Sequence, residues 1–306
     1  MSQSPTPDAL LPVGVIGLGD IAQKAYLPVL AALPGLDLRL MTRDRAKLDR
    51  IGDAYRIAPR FTDLGELIAS GIRAAFVHAA TSQHVPIVEE LLTAGIDVYV
   101  DKPLDYTLEG ARRLVELADG CGRSLIVGFN RRHAPGYIQA KERPRDLIVL
   151  QKNREGLPEA VRTLVFDDFI HVVDLLRLLV PGDIQHVDVR ARKREGLVEH
   201  LVLTLAGDGF TALGIMNRMS GSTEEVLEVS GGDSKRAVVN LAEVIDHRGQ
   251  PTVRRRGDWV PVARQRGIEQ IVVSFLDAVR SGKTVDAHDA LRTHELCELI
   301  VQRVGE

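Results

Sequence analysis

The chain of 306 residues is 45% hydrophobic and 26% charged, with a formal net charge of -3 at pH 7, a composition typical of globular proteins. Its length exceeds what one core usually holds, so two domains are expected. The charge gives no reason to expect a nucleic acid or an anionic membrane surface as a partner. No apolar run approaches the roughly 20 residues of a membrane-spanning helix.

Cysteine usage and the first residues bear on the cellular compartment. Cys121 and Cys297 are far apart and lack the spacing of metal ligands, so neither a disulfide framework nor a metal site is predicted. The cytoplasm is therefore the expected location. Residues 1–10 lack the basic region and apolar core of a secretory signal and are predicted to form a disordered lead-in.

Residues 11–129 alternate short runs rich in Val, Ile and Leu with helical patterns. Strands are predicted at 11–17, 36–41, 73–79, 96–100 and 123–129. Helices are predicted around 20–33, 45–54, 63–70, 83–94 and 107–120. Near-continuous apolar strands separated by helices indicate an α/β fold, a doubly wound parallel sheet of the Rossmann type, with its binding crevice at the carboxyl ends of the strands.

The pattern changes in residues 130–306. A helix is predicted at 167–180, ending at Pro181-Gly182. Alternating apolar and polar stretches follow, with glycine turns between them, and helices return at 268–283 and 289–304. The period of two predicts a large mixed or antiparallel open sheet in an α+β domain. Its uncovered face is expected to mediate homo-oligomer formation, and the terminal helices can pack back on the first domain.

The segment "VGVIGLGDIA" places Gly17, Gly19 and Ala22 between the first strand and the first helix. Gly17 allows a tight turn, Gly19 lets the backbone approach a pyrophosphate, and the small Ala22 permits close helix–strand packing. The free amides at the helix start favour an anion, and Asp20 and Ile21 lie in the same turn. A dinucleotide site is predicted here; a glycine turn without a ligand is the alternative.

The end of the second strand bears on the choice of dinucleotide. An acidic residue there would bind the adenosine ribose of NAD, but this chain has Thr42 followed by Arg43. A guanidinium suits the 2′-phosphate of NADP through its charge and forked hydrogen bonds. NADP is therefore favoured over NAD. The alternative is that Arg43 is solvated and Asp44 holds the ribose.

The segment "YVDKPLD" puts Lys102 just past a buried strand. An isolated Asp-Lys-Pro is usually an ordinary turn. Here the strand should open on the same crevice as the glycine turn, so Lys102 is expected near a bound nicotinamide.

Four segments together resemble the Gfo/Idh/MocA oxidoreductases: "GLGDIA", "AATSQHVPIVEELLTAGIDVYVDKPLD", "VGFNRRHAP" and "DDFIHVVDLLRLL". The resemblance covers nearly the whole chain and is greatest to the MviM-type subgroup. It implies a two-domain NAD(P)-dependent enzyme acting on a sugar, inositol or related polyol. The family usually carries Glu-Lys-Pro, so Asp101 departs from its pattern and has no assigned role.

By this resemblance, Lys102, Asp167 and His171 are the catalytic residues. Four residues separate Asp167 from His171, which places both on one helical face. Histidine exchanges a proton near neutral pH, and Lys102 can stabilise negative charge on the reacting oxygen. The alternative is that Lys102 itself carries the transferred proton. Asp167 would bind a neighbouring hydroxyl or orient His171. The alternative is that Asp167 or Asp168 is a helix N-cap and His171 packs against the sheet.

The same resemblance implies further cofactor contacts from Thr81 and His84, after the fourth strand. Asn130 and Arg131 follow the sixth strand and are expected to line the crevice mouth. Capping of the following helix by Thr81 or Ser82, and surface exposure of Arg131, are the alternatives. Two other functions stay open: a dinucleotide-responsive regulatory protein with little turnover, and a reductase of a non-sugar carbonyl or imine.

Overall fold

The structure, a computed structural model, describes residues 10–305. These form two units. The first contains the described residues as far as Gly128 together with Ile271–Leu291, and the second contains Phe129–Gln270 and the residues from Arg292 onward. Apart from Leu10, the lead-in predicted at residues 1–10 lies outside the described residues.

The first unit is built on a six-stranded sheet. Its strands are β1 (Leu11–Ile16), β2 (Leu36–Met41), β3 (Arg60–Phe61), β4 (Ala74–Val77), β5 (Asp97–Val100) and β6 (Leu125–Val127). All adjacent pairs are parallel, in the order β3-β2-β1-β4-β5-β6. This confirms the doubly wound Rossmann arrangement, with its switch point between β1 and β4.

Helices connect these strands, and three of them begin at a residue whose side chain caps the first turn. They are α1 (Leu27–Leu30), α2 (Arg45–Tyr55), α3 (Leu64–Ala69), α4 (His84–Thr93) and α5 (Leu108–Cys121). Asp44, Asp63 and Thr107 are the N-caps of α2, α3 and α5, and each side chain accepts a hydrogen bond from a backbone amide of the first turn. A π-helical turn, Ala22–Tyr26, precedes α1 directly.

The second unit contains an eight-stranded sheet. Its strands are β7 (Leu147–Asn153), β8 (His186–Arg194), β9 (Leu197–Gly207), β10 (Phe210–Asn217), β11 (Glu224–Gly231), β12 (Ser234–Val239), β13 (Glu243–Arg248) and β14 (Gln250–Arg255). The order is β14-β13-β12-β11-β7-β10-β9-β8. Only the pairing of β7 with β10 is parallel, so the predicted open sheet is mixed.

One face of this sheet is covered by a helix that starts earlier than predicted. The remaining helices are α6 (Pro135–Lys141), α7 (Val161–Thr163), α8 (Ile170–Leu179), α9 (Val262–Gln265), α10 (Ile268–Ser281) and α11 (His288–Val304). A π-helical turn, Leu164–Phe169, joins α7 to α8. The helix therefore begins at Val161 with Ala160 as its N-cap, and the alternative of Asp167 or Asp168 as the N-cap is wrong.

Close packing holds α8 on the sheet. A Cβ on Gly214 of β10 would lie 2.7 Å from Cγ1 of Val172 and 2.9 Å from Cδ1 of Leu176, so the helix touches the strand backbone. On the opposite face, residues that alternate with the buried ones are half-buried. They include Val149, Val202, Leu213, Ile215 and Val226.

Helix α10 contributes to the core of the first unit. The ring of Phe275 is fully buried. It meets Phe76 edge-on at a centroid distance of 5.2 Å and lies 6.0 Å from the ring of Tyr99. Among the helices of residues 10–305, none is long and apolar enough to cross a bilayer.

Replacing Phe275 by alanine should lower the free energy of unfolding of the first unit by about 3–5 kcal/mol, because it removes a buried ring and leaves a cavity. Chemical denaturation followed by circular dichroism would measure this. Asp277→Ala, at an exposed position on the same helix, is the matched control and should change stability by less than about 0.5 kcal/mol. Equal losses in the two variants would contradict the packing described here.

Candidate functional site

The turn after β1 requires glycine at its first position. Gly17 has a φ of +83°, and a Cβ there would lie 2.6 Å from the backbone nitrogen of Ala79 and 2.7 Å from the carbonyl carbon of His78. A Cβ on Gly19, in contrast, would meet no described atom within 4 Å. The turn thus packs against the end of β4 at Gly17. At Gly19 its backbone has open space beside it, as the approach of a pyrophosphate requires.

The helix start that follows the turn is held in place by side chains on both sides. Ala22 is fully buried, and the Gln23 side chain donates to the carbonyl of Leu18 at 2.9 Å. Asp20 is exposed and accepts a hydrogen bond from Lys24 at 2.6 Å, which lowers its pKa. Ile21 is 47% exposed. The side chains of Asp20 and Ile21 therefore face solvent beside the turn.

A cleft of about 330 Å³ opens at the carboxyl ends of β1, β2 and β4. Gly17 and Gly19 line its centre, Thr42 and Arg43 line the β2 end, and His78 lines the β4 end. Lys47 and Gln83 also line it. The cleft thus has cationic side chains at one end and the glycine turn in its middle.

Arg43 and Asp44, the two candidates to bind the adenosine ribose or its phosphate, have different surroundings. Asp44 accepts a hydrogen bond from the amide of Lys47 at 3.0 Å and does not line the cleft. Arg43 is exposed and lines it. The carboxylate is therefore used in capping, while the guanidinium is available to an anion.

Two histidines hold the residues on either side of Lys102. His78 Nδ1 lies 2.8 Å from Oδ2 of Asp101, and His84 Nδ1 lies 2.8 Å from the carbonyl oxygen of Pro103. The second nitrogen of His84 is 3.0 Å from the Ala79 carbonyl. Burial lowers the pKa of His84, against the opposing effect of the two carbonyls. The loop that carries Lys102 is therefore anchored from the β4–α4 connection.

Asp101, to which the sequence assigned no role, contacts His78. Its carboxylate accepts from His78, whose ring packs on Tyr26 at a centroid distance of 4.2 Å. The hydroxyls of Tyr26 and Tyr99 are 2.6 Å apart, and burial raises the pKa of both phenols well above their usual value. Asp101 thus belongs to a buried polar cluster.

Thr81 and Asn130 both lie in short 3-10 turns. Thr81 begins a short 3-10 turn, Thr81–Gln83, and α4 has no side-chain cap from Thr81 or Ser82. Asn130 donates from Nδ2 to the carbonyl of Arg266 at 2.7 Å. Their roles as cofactor ligands stay predictions.

Asp167 and His171 lie on the long helix of the second unit. Asp167 falls within the π-helical turn Leu164–Phe169, and His171 is in the first turn of α8 and is buried. Asp174, three residues further on, is fully buried and accepts from Arg132 at 2.8 Å and from Thr293 at 3.0 Å. Burial raises the pKa of Asp174, although Arg132 opposes the shift. π-helical turns of this kind occur often at functional sites.

The residue next to Asp167 is clamped by three cations. Asp168 accepts from Arg154 at 2.9 Å and from Arg218 at 2.8 Å, and its carboxylate also contacts the ammonium of Lys152. Burial would raise the pKa of Asp168, but Lys152 and Arg154 hold it well below its usual range. Burial and the charge of Arg131 lower the pKa of Lys152 to about 7.

Arg131 occupies a buried ion pair in the second unit. Its Nε and Nη2 donate to the two carboxylate oxygens of Glu225 at 2.7 and 2.8 Å, and the hydroxyl of Tyr137 donates to Glu225 at 2.8 Å. Burial would raise the pKa of Glu225, but the charge of Arg131 lowers it to about 2. The alternative of an exposed Arg131 is wrong, since it is 8% exposed. Its role as a cofactor ligand stays a prediction.

Sequence reasoning missed His78, Lys152 and Glu225. A signal for His78 exists in the strand register: Val77 pairs with Val100 at the end of β4 and β5, so the next residues, His78 and Asp101, lie opposite each other. Lys152 and Glu225 interrupt alternating strands on their buried side, where a charged residue requires a partner.

Comparison with known proteins gives matches over nearly the whole chain. Residues 11–129 match the sequence model GFO_IDH_MocA, described as an oxidoreductase family with an NAD-binding Rossmann fold. The protein named "Putative oxidoreductase YceM" of Salmonella typhimurium is 34% identical over 278 residues, which make up 89% of this chain and 90% of that protein. The similarity to that protein thus extends over most of the chain.

A solved structure and a named enzyme extend the comparison. The crystal structure of a Gfo/Idh/MocA family oxidoreductase from Vibrio cholerae superposes with a TM-score of 0.90 at 32% identity, covering 97% of this chain and 100% of that one. The inositol 2-dehydrogenase/D-chiro-inositol 3-dehydrogenase of Shouchella clausii is 31% identical over 195 residues, 60% of this chain and 56% of that enzyme. The fold is therefore that of a known enzyme family.

Replacing Arg131 by methionine should lower the free energy of unfolding by about 3–5 kcal/mol at pH 7, because it leaves the Glu225 carboxylate buried without its cation. The folded pKa of Glu225 lies below its ordinary 4.5. Its contribution is thus present above pH 4.5 and is lost as the pH falls towards about 2. Denaturant titrations of the unaltered protein at pH 7 and pH 3 should differ accordingly.

The control for this experiment is the double variant R131M/E225M, which removes both charges. It should recover much of the stability lost by the single variant. Equal stability of the single variant and the unaltered protein at pH 7 would contradict a buried charged pair.

Proposed function

Since this chain belongs to the Gfo/Idh/MocA family of oxidoreductases, we propose that it transfers hydride between NAD(P) and a secondary hydroxyl or carbonyl of a sugar, inositol or related polyol. The observation that carries the proposal lies within the first unit. The glycine turn after β1 and the loop bearing Lys102 after β5 lie at the same carboxyl edge of the sheet. Similarity to an inositol dehydrogenase over 60% of the chain supports the class of substrate.

The residues of the cleft fit a dinucleotide. Gly17 lets the turn lie against the backbone of His78 and Ala79, where a Cβ would collide, and Gly19 leaves the backbone open. The buried Nε2 of His78 has no partner among the described residues. The turn with Asp20, Ile21 and Ala22 would hold the pyrophosphate. When bound, the nicotinamide would supply the hydride acceptor or donor.

The proposal assigns three side chains to the reaction. Lys102 hydrogen-bonds the reacting oxygen and stabilises its negative charge. His171 removes the hydroxyl proton in the oxidative direction and returns it in the reductive direction. Asp167 binds a neighbouring hydroxyl or orients His171. The cofactor would be contacted by Thr81, His84, Asn130 and Arg131. Of these, His84 acts through the loop that carries Lys102, since it contacts Pro103.

We favour NADP as the cofactor. Arg43 and Lys47 line the β2 end of the cleft, where the 2′-phosphate of NADP would lie, and Thr42 stands where an acidic residue would select NAD. Asp44 caps α2 instead of lining the cleft. No carboxylate is among the lining residues at this end. Lys47 lies 3.8 Å from the Asp44 carboxylate, so Arg43 is the cation that supports binding of a phosphate.

We also propose that copies of the chain associate through the half-buried face of the second unit's sheet. Val149, Val202, Leu213, Ile215 and Val226 lie together on that face by strand register. Contiguous apolar surface of this kind is typical of an interface.

Arg43→Ala should weaken NADPH binding about tenfold or more, because a charge-assisted contact to the 2′-phosphate is lost, and leave NADH binding nearly unchanged. Fluorescence titration of the purified protein with each nucleotide measures both. The matched control is Arg45→Ala, since Arg45 pairs with Asp49 and does not line the cleft. Tighter binding of NADH than NADPH by the unaltered protein would reject the preference for NADP.

Lys102→Ala should lower kcat about a hundredfold or more, with nucleotide affinity largely retained, because the lysine acts on developing charge in the transition state. Turnover would be followed by nicotinamide absorbance with a panel of inositols, hexoses and linear polyols. Lys283→Ala, at an exposed lysine of the same unit, serves as the control. Comparable loss of turnover and of nucleotide binding in the Lys102 variant would exclude a catalytic role.

A further inference from the structure

His78 combines a buried side chain with a place among the residues that line the cleft. Its side chain has no exposed surface, yet the residue lines the cleft together with Gly17 and Gly19. The backbone on which it sits touches the glycine turn, since a Cβ on Gly17 would lie 2.7 Å from the His78 carbonyl carbon. The backbone of His78 therefore borders the glycine turn where we propose that a dinucleotide binds, and the imidazole is buried behind it.

The orientation of this ring is fixed by three contacts. Asp101 lies opposite it in the register of β4 and β5 and contacts Nδ1 at 2.8 Å. Tyr26 packs against one face of the ring at 4.2 Å, and Tyr99 lies 6.2 Å away. A ring held in this way cannot turn to satisfy its other nitrogen without losing the carboxylate.

The hydrogen-bonding state of the ring follows from its partner. A carboxylate only accepts, so Nδ1 carries the proton, and in the neutral ring Nε2 is an acceptor. This Nε2 is buried and has no partner among residues 10–305. A buried polar atom without a partner costs free energy, and at a ligand cleft the missing partner can be supplied by the ligand.

We propose that His78 is a positioning residue for the bound dinucleotide, accepting a hydrogen bond at Nε2 from an N–H or O–H of its nicotinamide nucleoside half. The proposal rests on the dinucleotide-binding function proposed above. Asp101 acts through His78 by fixing the tautomer and the ring plane, much as outer carboxylates orient histidine ligands elsewhere.

The strand order decides which half of the dinucleotide His78 meets. Arg43 follows β2, the glycine turn follows β1, and His78 follows β4, and these strands are adjacent in that order. With the adenosine ribose read at the end of β2 and the pyrophosphate at β1, the nucleoside beyond the pyrophosphate lies at the end of β4. His78 therefore meets the nicotinamide side.

His78→Phe tests this proposal because it keeps a ring against Tyr26 and removes both nitrogens. It should weaken binding of NADPH or NADH about threefold to tenfold, as expected for one lost hydrogen bond, and leave binding of ADP, which has only the adenosine half, unchanged. The matched control is His288→Phe. It removes another His–Asp pair of the same unit, His288 with Asp119 at 2.8 Å, outside the cleft, and should leave both affinities unchanged.

The donor on the ligand is identified with the 3-acetylpyridine analogue, which keeps the ribose hydroxyls and lacks the amide N–H. If the carboxamide is the donor, the unaltered protein and the His78 variant will bind the analogue equally well. If a ribose hydroxyl is the donor, the variant's loss of affinity will persist with the analogue. Both outcomes support the proposal.

A spectroscopic measurement on the unaltered protein keeps the test independent of how well the variant folds. In ¹⁵N-histidine-labelled protein, whose His78 signals are assigned by their absence from the variant, the unprotonated Nε2 resonance should shift on addition of the dinucleotide and stay in place with ADP. A protonated Nε2, or no shift with a bound dinucleotide, would overturn the proposal.

The affinities separate this inference from the function on which it rests. Dinucleotide binding by the unaltered protein together with equal binding by His78→Phe would reject the role of His78 alone. No binding of NADPH or NADH by the unaltered protein would reject the proposed function and this inference together.

Discussion

The contact between Gly17 and the end of β4 is the constraint on which the cleft of the first unit depends. A Cβ at this position would lie 2.6 Å from the backbone nitrogen of Ala79. The chain can therefore cross the carboxyl edge of the sheet here only with glycine at position 17. The crossing puts the first turn between Arg43 on one side and His78 on the other. The backbone thus sets the spacing of the groups that meet a ligand.

Lys102 lies at the same edge of the sheet, and contacts of the residues on either side of it hold its loop in place. His78 bonds Asp101 and His84 bonds Pro103, so the residues before and after the lysine are both tied to the connection between β4 and α4. The role proposed for Lys102 requires that its side chain be placed to within a fraction of an ångström, which takes a supporting layer of contacts. The aspartate in place of the family's usual glutamate belongs to that layer, since it contacts His78.

Patterns that depend on local burial were readable in the sequence. The parallel sheet was predictable because strands covered on both faces are nearly continuous apolar runs, and the mixed sheet because one covered face leaves a period of two. β3 was missed because two residues carry no period. The start of the long helix was misjudged because Asp167-Asp168 looks like a cap, whereas packing extends the helix back to Val161. The buried pairs were not predictable, since their partners are 23 residues apart for His78 and 94 for Arg131.

The buried charges around Asp168 in the second unit are better explained by the orientation they give to the π-helical turn than by a gain in folding stability. Removing Lys152 and Asp168 from water is costly, and the pKa of Lys152 near 7 reflects that cost. Arg154 follows β7 and Arg218 follows β10, and both donate hydrogen bonds to the Asp168 carboxylate. These two bonds fix the rotation of the π-helical turn about the helix axis. Since consecutive side chains leave a helix in set directions, holding Asp168 also sets the direction of Asp167. An apolar residue at 168 could pack as well, but it could not fix that rotation through directed hydrogen bonds from two strand ends.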